Sequence, residues 1–314
     1  MQKEIQNILQ LPLFTPFGRT PIILKERFDK RMLNKILNNP QKVVNLIPRT
    51  EIDKKQIMQS IKQLKKYKKF AKQNNSVKCK YQYFDASMNL GRLENKSKIC
   101  LQNAVREIRQ SLTHKYYDDI DIKNAQPTLL NWLCKKLKIK HFYLSKYVKK
   151  RNYYLNKIAK QNNMDRSDAK VLIIHIMNGG TKFYKSLKIK NAFIKNFYNE
   201  MQNIHTQLCF KFPISCKKAK IYKKKENVFI ENYTGTLINV ILTTIENHVL
   251  MGICEFFKRE SLLSGEGILI YDSILIPKNK KNIKLLKKCE KFIYKYFKIK
   301  IILKKKKMDE YLKF

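Results

Sequence analysis

The sequence predicts an α+β fold, an antiparallel sheet backed by helices and interrupted by a helical insertion. Three observations predict it. Two short β-branched runs carry acidic residues, Asp119-Ile120-Asp121-Ile122 and Gly267-Ile268-Leu269-Ile270-Tyr271-Asp272-Ser273. Between them lies a long stretch, mainly helical in pattern and rich in Lys and Tyr. After the second run come an amphipathic helix and a last short apolar run, so strands flank helices rather than alternating with them.

Taken in order, residues 1–80 hold no pattern with evident chemistry. Thr50 and Asp53 read as a capping box. Ile57, Ile61, Leu64 and Ala71 then mark one helical face, and Lys54, Lys55, Lys62, Lys65, Lys66, Lys68 and Lys69 cover the remainder. Such a face is either solvated surface or a phosphate-tracking one, with Tyr67 and Phe70 its only interleaved aromatics. Lys115 to Ile122 reads as a strand and puts Asp119 and Asp121 on one face. Pro127 to Leu137 reads as a helix with Pro in its first turn. Residues 141–200 are helical, with Gly179-Gly180 as a stop. Leu237 to Phe257 is apolar on nearly every face and predicts a central buried helix. Ile268–Ile270 and Ile274–Ile276 form a tight hairpin with Asp272 at its tip, closed by Pro277. Leu285, Leu286, Cys289, Phe292, Ile293 and Tyr296 mark a helix before a last strand, Ile299 to Leu303. The Lys304–Lys307 run is low in complexity.

The chain has 314 residues, 44% hydrophobic, enough for one large core or two smaller ones. Its 67 Lys+Arg against 24 Asp+Glu give +43, which points to a polyanionic partner; a coding bias toward Lys, Asn and Ile explains the excess equally well. Seven Cys without a Cys-x-x-Cys pair predict reduced thiols in an intracellular compartment and exclude a zinc ribbon. No apolar run of membrane-spanning length and no signal-peptide pattern is evident, so a soluble protein is expected.

Asp121 and Asp272 end apolar runs. Taken singly, each reads more readily as a turn residue or strand-end cap than as a metal ligand. Together they are what two-metal phosphoryl transfer requires, because Mg²⁺ takes one or two carboxylates plus substrate phosphates. Arg166 and Lys170, four apart on a helix, share a face that could grip a triphosphate, with Lys170 placed to protonate the leaving pyrophosphate. His248 with Glu246 reads more readily as a core polar pair than as a partner site.

As an ordered set the segments resemble the family A DNA polymerases. Gly91-Arg92-Leu93, Leu101-Gln102-Asn103, Ile108-Arg109 and Asp121 reproduce the order of that family's palm, and Arg166, Lys170, Asn178 and Gly179 keep the spacing of its fingers helix, with Asn178 in place of Tyr. Tyr271-Asp272-Ser273 stands where the family has His-Asp-Glu and the related phage-type RNA polymerases have His-Asp-Ser. Asp119 to Pro127 also matches a divergent viral and plasmid-type group.

The resemblance implies a right-hand polymerase. Residues 1–80 would be a reduced, basic, helical, thumb-like segment, 81–137 and 236–314 an antiparallel-sheet palm, and 138–235 helical fingers. It implies primer extension on a DNA template from nucleoside triphosphates with two Mg²⁺, or Mn²⁺, on Asp121 and Asp272. Arg166 and Lys170 would bind the triphosphate, and Gln126 and Asn178 would line the nucleotide pocket. Arg92, Gln102, Asn103 and Arg109 would contact primer or template, and a processivity or priming partner is expected. Gln126, where the DNA polymerases carry Glu, and Ser273 leave RNA synthesis or priming as an alternative. The pocket substitutions leave a non-catalytic nucleic-acid-binding protein as another.

Overall fold

The computed structural model describes residues 2–18, 21–47, 51–71, 75–85, 90–95, 99–180, 191–225 and 232–314. The chain forms two compact units, one of residues 1–11 and 124–246, the other of 12–123 and 247–314.

The second unit holds the strands. A three-stranded antiparallel sheet joins β1 (Ile22–Arg27), β2 (Ser76–Asp85) and β3 (Leu90–Glu94) in that order. A four-stranded sheet runs β5 (Ile268–Ile270), β6 (Ser273–Pro277), β4 (Tyr117–Ile122), β7 (Leu303–Lys306), with every pairing antiparallel. β4 therefore lies inside the sheet, and β5 and β6 are the predicted hairpin. α2 (Lys30–Asn38) and α3 (Pro40–Leu46) precede α4 (Glu51–Lys69), and the capping box expected at Thr50 and Asp53 lies outside the described side chains. α4 buries Ile57, Ile61 and Leu64 as the periodicity predicts. Tyr67, one of the two aromatics interleaved with the lysines, is 1% exposed, and its hydroxyl donates to Glu26 at 3.3 Å.

Two elements differ from expectation. β1 lies in a segment read as helical. The last strand starts where it was expected to end, at Leu303, and runs into the lysines. Ile299 and Ile301 are buried core residues, but the pairing with β4 belongs to residues 303–306.

The first unit is helical throughout its described residues: α1 (Gln2–Leu9), α6 (Ala125–Lys136), α7 (Phe142–Lys149), α8 (Arg151–Asn162), α9 (Arg166–Met177), α10 (Ala192–Lys211), α11 (Pro213–Lys225) and the first half of α12. α9 ends at the predicted stop, with Gly179 at φ 75°. α12 (Tyr233–Arg259) is the expected apolar helix, and its residues from 247 onward belong to the second unit. It is long and apolar enough by composition to cross a membrane, but 83% of its most apolar window is buried inside the protein. Gly252 shows why: a Cβ there would meet Ile293 and Phe297 of α13 (Lys281–Phe297) at 2.9 Å, so the helices touch where the side chain is missing.

Candidate active site

β4 reads Tyr-Asp-Asp-Ile-Asp-Ile, and all six residues are buried. Alternation puts Asp119 and Asp121 on one face and Asp118 on the other. On one side β6 pairs Asp121 with Ser273 and Asp119 with Leu275, and the Ile122 N–H donates to the Asp272 carbonyl at 3.3 Å. Asp121 and Asp272, more than a hundred residues apart in sequence, are thereby brought to neighbouring strand ends. The turn bearing Asp272 is tight, with Tyr271 at φ 47°. The Arg92 guanidinium, on β3, lies 4.8 Å from the centre of the Tyr271 ring.

On the other side β7 sets Lys304 opposite Asp121 and Lys306 opposite Asp119. Lys306 Nζ is 2.7 Å from Asp121 Oδ1, and Lys304 Nζ is 3.3 Å from Asp121 Oδ2. On the opposite face Lys305 Nζ is 2.6 Å from Asp118 Oδ1, while Asn282 of α13 donates to Asp118 Oδ2 at 2.9 Å. A lysine run that reads as low complexity is thus a strand whose ammonium groups answer buried carboxylates on both faces.

The local field is finely balanced. Burial raises the Asp272 carboxyl above the ordinary carboxylate range; Asp121 pushes the same way, and Lys306 and Arg92 oppose it. Burial also raises Asp119, with the neighbouring charge of Asp121 pushing the same way, against Lys306, the Ser273 hydroxyl and Arg109. Burial disfavours the charge on Lys306, yet the contact with Asp121 and the fields of Asp119 and Asp272 outweigh it and hold this ammonium above its usual value. Asp119 Oδ1 is buried with no hydrogen-bond partner among the described residues.

Among the described residues no group of three or more His, Cys, Asp or Glu side chains is arranged to hold a metal. Mg²⁺ does not need one, since one or two carboxylates suffice. Two aspartates at adjacent strand ends, beside an unsatisfied buried carboxylate oxygen, fit such an ion, provided that the lysines yield the Asp121 oxygens.

A second layer positions this face. Leu101–Asn103 is a 3₁₀ turn leading into α5 (Arg106–Thr113). Gln102 is 2% exposed. Its amide accepts from Asn95 N–H at 3.2 Å and donates to the Leu93 carbonyl at 3.0 Å, tying the turn to the strand that carries Arg92. Both amide functions of Gln102 thus engage the backbone and brace the turn from within. Arg109 is likewise turned inward and donates to the carbonyls of Ala104 at 2.9 Å and Gln102 at 3.4 Å. Burial lowers its pKa while Asp119 and Tyr271 support its charge. Glu26, fully buried, fixes the start of the same turn by accepting from Leu101 N–H at 2.9 Å and from the Tyr81 hydroxyl at 2.6 Å. Asn103 is half-buried and, with Gln56, Gln59, Gln63, Arg109 and Tyr271, lines a cavity of about 360 Å³.

Of the remaining sequence candidates, all but His248 lie in the helical unit. Arg166 and Lys170 are exposed on the first turns of α9, and Arg166 donates to Asn152 Oδ1 at 2.7 Å. Asn178 caps α9; its carbonyl accepts from Asn232 at 3.2 Å, and its Oδ1 is buried without a partner among the described residues. Gln126 is half-buried in the first turn of α6, after Asn124 at φ 58°. His205 bridges Met177 O at 3.0 Å and Thr234 Oγ1 at 3.2 Å, and His248 meets the Pro12 carbonyl at 3.0 Å, so both are structural. Sequence reasoning missed Lys304, Lys306 and Glu26; the alternation of Lys304 and Lys306 opposite an Asp-x-Asp strand was the one available signal.

No protein-family model matches the chain. The sequence is 30% identical over 248 residues to V13 of the Sputnik virophage, provisionally named a helicase, in an alignment covering 76% of this chain and 31% of V13. The chain thus spans about a third of the length of that relative. Among solved structures, the POL domain of Pol1 from M. smegmatis, in complex with DNA primer-template and dNTP, matches with a TM-score of 0.54 at 9% identity, over 96% of this chain and 59% of that one. That neighbour is a family A-type polymerase domain. What the two share is the fold, so the chain has a mixed α+β architecture similar to that of a polymerase domain.

Proposed function

We propose that the chain is a DNA-directed DNA polymerase that extends a primer by nucleotidyl transfer. The observation that supports this most is the placing of Asp121 and Asp272 at adjacent strand ends, through the Asp121–Ser273 register and the Ile122–Asp272 backbone hydrogen bond, in a fold similar to a polymerase domain. In this reading residues 81–137 and 236–314 serve as palm, 138–235 as fingers and 1–80 as a reduced thumb-like segment. Asp121 and Asp272 would hold Mg²⁺ or Mn²⁺, which when bound lowers the pKa of an attacking hydroxyl and neutralises the leaving group. Asp119 tightens the negative field around them. Arg166 and Lys170 orient the triphosphate, and Lys170 passes a proton to the departing pyrophosphate. Arg92, Gln102, Asn103 and Arg109 contact the primer-template, and Gln102 and Arg109 also brace the turn that carries Asn103. The name of V13 adds a setting, in which synthesis accompanies strand separation by a helicase.

RNA synthesis or priming is the second reading, favoured by Gln126, a half-buried neutral amide where a carboxylate would exclude a 2′-hydroxyl. Extension of a labelled primer on a DNA template, with dNTPs and rNTPs tested separately in Mg²⁺ and in Mn²⁺, decides between them. Absence of extension with either sugar, in protein that binds the primer-template, would overturn both.

A further inference from the structure

The helical unit carries an aromatic ladder that the polymerase reading does not use. Phe142 and Tyr143 open α7, Tyr153 and Tyr154 open α8, and Phe193 lies on α10. Their rings form a continuous path. Phe142 meets Tyr143 at 5.2 Å, Tyr143 meets Phe193 at 5.8 Å, Phe193 stacks on Tyr154 at 4.0 Å and 21°, and Tyr154 meets Tyr153 at 5.1 Å. The inner rings are half-buried, but the two ends are open, Phe142 58% and Tyr153 56% exposed. Exposed rings are common on protein surfaces and mark a site only where their surroundings add a second signal.

The charge around the ladder supplies it. Lys146 Nζ is 4.0 Å from the Phe142 ring centre and Lys157 Nζ is 5.8 Å from that of Tyr153, so each open ring is paired with a cation. From residue 122 to residue 164 the sequence holds eleven Lys and Arg and no Asp or Glu. Glu200, the acid that reaches α7, is spent on the backbone N–H groups of Tyr143 and Leu144 at 2.9 and 2.8 Å. π faces interleaved with cations match single-stranded nucleic acid, whose bases stack on the rings while its phosphates meet the lysines. A duplex keeps its bases stacked on one another and offers the rings nothing.

We infer that the Phe142–Tyr153 ladder is a binding platform for single-stranded nucleic acid. The inference stands apart from the proposed polymerase activity and is tested without it, in EDTA, by fluorescence anisotropy with labelled oligo(dT) and with a hairpin duplex. Phe142→Leu with Tyr153→Leu keeps apolar bulk and removes both open π faces. Base stacking on an aromatic is worth roughly tenfold per ring, so this variant should bind oligo(dT) about 100-fold more weakly and bind duplex unchanged. Lys146→Gln with Lys157→Gln should lessen the dependence of oligo(dT) binding on salt. Phe142→Trp with Tyr153→Trp preserves the faces and should bind like wild type, which guards against a Leu variant that merely unfolds. Wild-type affinity of the Leu variant for oligo(dT), equal losses for strand and duplex, or loss in the Trp variant would each overturn the platform. Primer extension fails or survives independently of this result, so the two readings are separable.

Discussion

Lys306→Met is the most informative single change, because it separates the charge on β7 from the strand itself. Methionine keeps the length and apolar stem of lysine and deletes the ammonium 2.7 Å from Asp121 Oδ1. Asp121 is 3% exposed, so it is left with Lys304 at 3.3 Å as its partner in these ion pairs. Removing one member of a buried pair costs about 3–5 kcal/mol. The Lys306 side chain is 37% exposed, which screens the pair, and Lys304 remains, so about 1–2 kcal/mol is the reasonable expectation. Without divalent ions the variant should melt several degrees lower. Any cation binding Asp121 in the wild type must first displace Lys306, and that same 1–2 kcal/mol then opposes binding. By linkage the variant should bind Mn²⁺ about 5- to 30-fold more tightly and regain stability as Mn²⁺ is added. Titration of free Mn²⁺ by electron paramagnetic resonance measures the affinity, and thermal melts at each Mn²⁺ concentration measure the stability. Unchanged or weaker Mn²⁺ binding by Lys306→Met would refute the reasoning, since Lys306 would then not compete for the carboxylates.

Three further outcomes follow from the same geometry. Asp272→Asn should reduce primer extension by several orders of magnitude and leave primer-template binding nearly intact. Its raised carboxyl pKa means that ionisation costs stability: the cost is absent below the unfolded value of about 3.8 and appears as pH rises through the higher folded value, so denaturant unfolding without divalent ions should find the Asn variant more stable at neutral pH and no different in acid. Lys170→Ala should raise the nucleotide KM and slow chemistry, whereas Lys66→Ala, on the exposed side of α4, should only weaken nucleic-acid binding; equal effects on extension kinetics would show that α9 contributes generic charge. For sugar choice, wild type should reject rNTPs within roughly two orders of magnitude, about 3 kcal/mol, and Gln126→Glu should widen the gap; a much larger wild-type factor that Gln126→Glu leaves unchanged would assign selection to another residue.

The elements legible in the sequence were those whose signal is local. β4 and the β5–β6 hairpin announce themselves by β-branched runs broken at Asp and Tyr, α12 by apolar residues on all faces, and the end of α9 by Gly179 at positive φ. β1 was not legible. Its alternation places Ile22, Leu24 and Glu26 inward, and a buried glutamate reads as surface until its partners are known. Those partners, Tyr67, Tyr81 and Leu101, lie 41, 55 and 75 residues away, so no window around β1 contains the reason for Glu26.

The same limit explains the site. The closeness of Asp121 and Asp272 could be anticipated because a carboxylate ending an apolar run is locally odd, and the ordered motifs around them narrowed the choice. Lys304 and Lys306 could not, because in a chain with 67 Lys and Arg a run of four lysines carries no local contrast. They acquire meaning from register: β7 meets β4 antiparallel, so Lys304 falls opposite Asp121 and Lys306 opposite Asp119, and a slip of one residue would present Lys305 to that face instead. The contribution of these lysines therefore depends on the position of the strand more than on the charge it carries. Of all the cations in this sequence, those whose substitution changes metal affinity should be the ones that the sheet aligns with an aspartate.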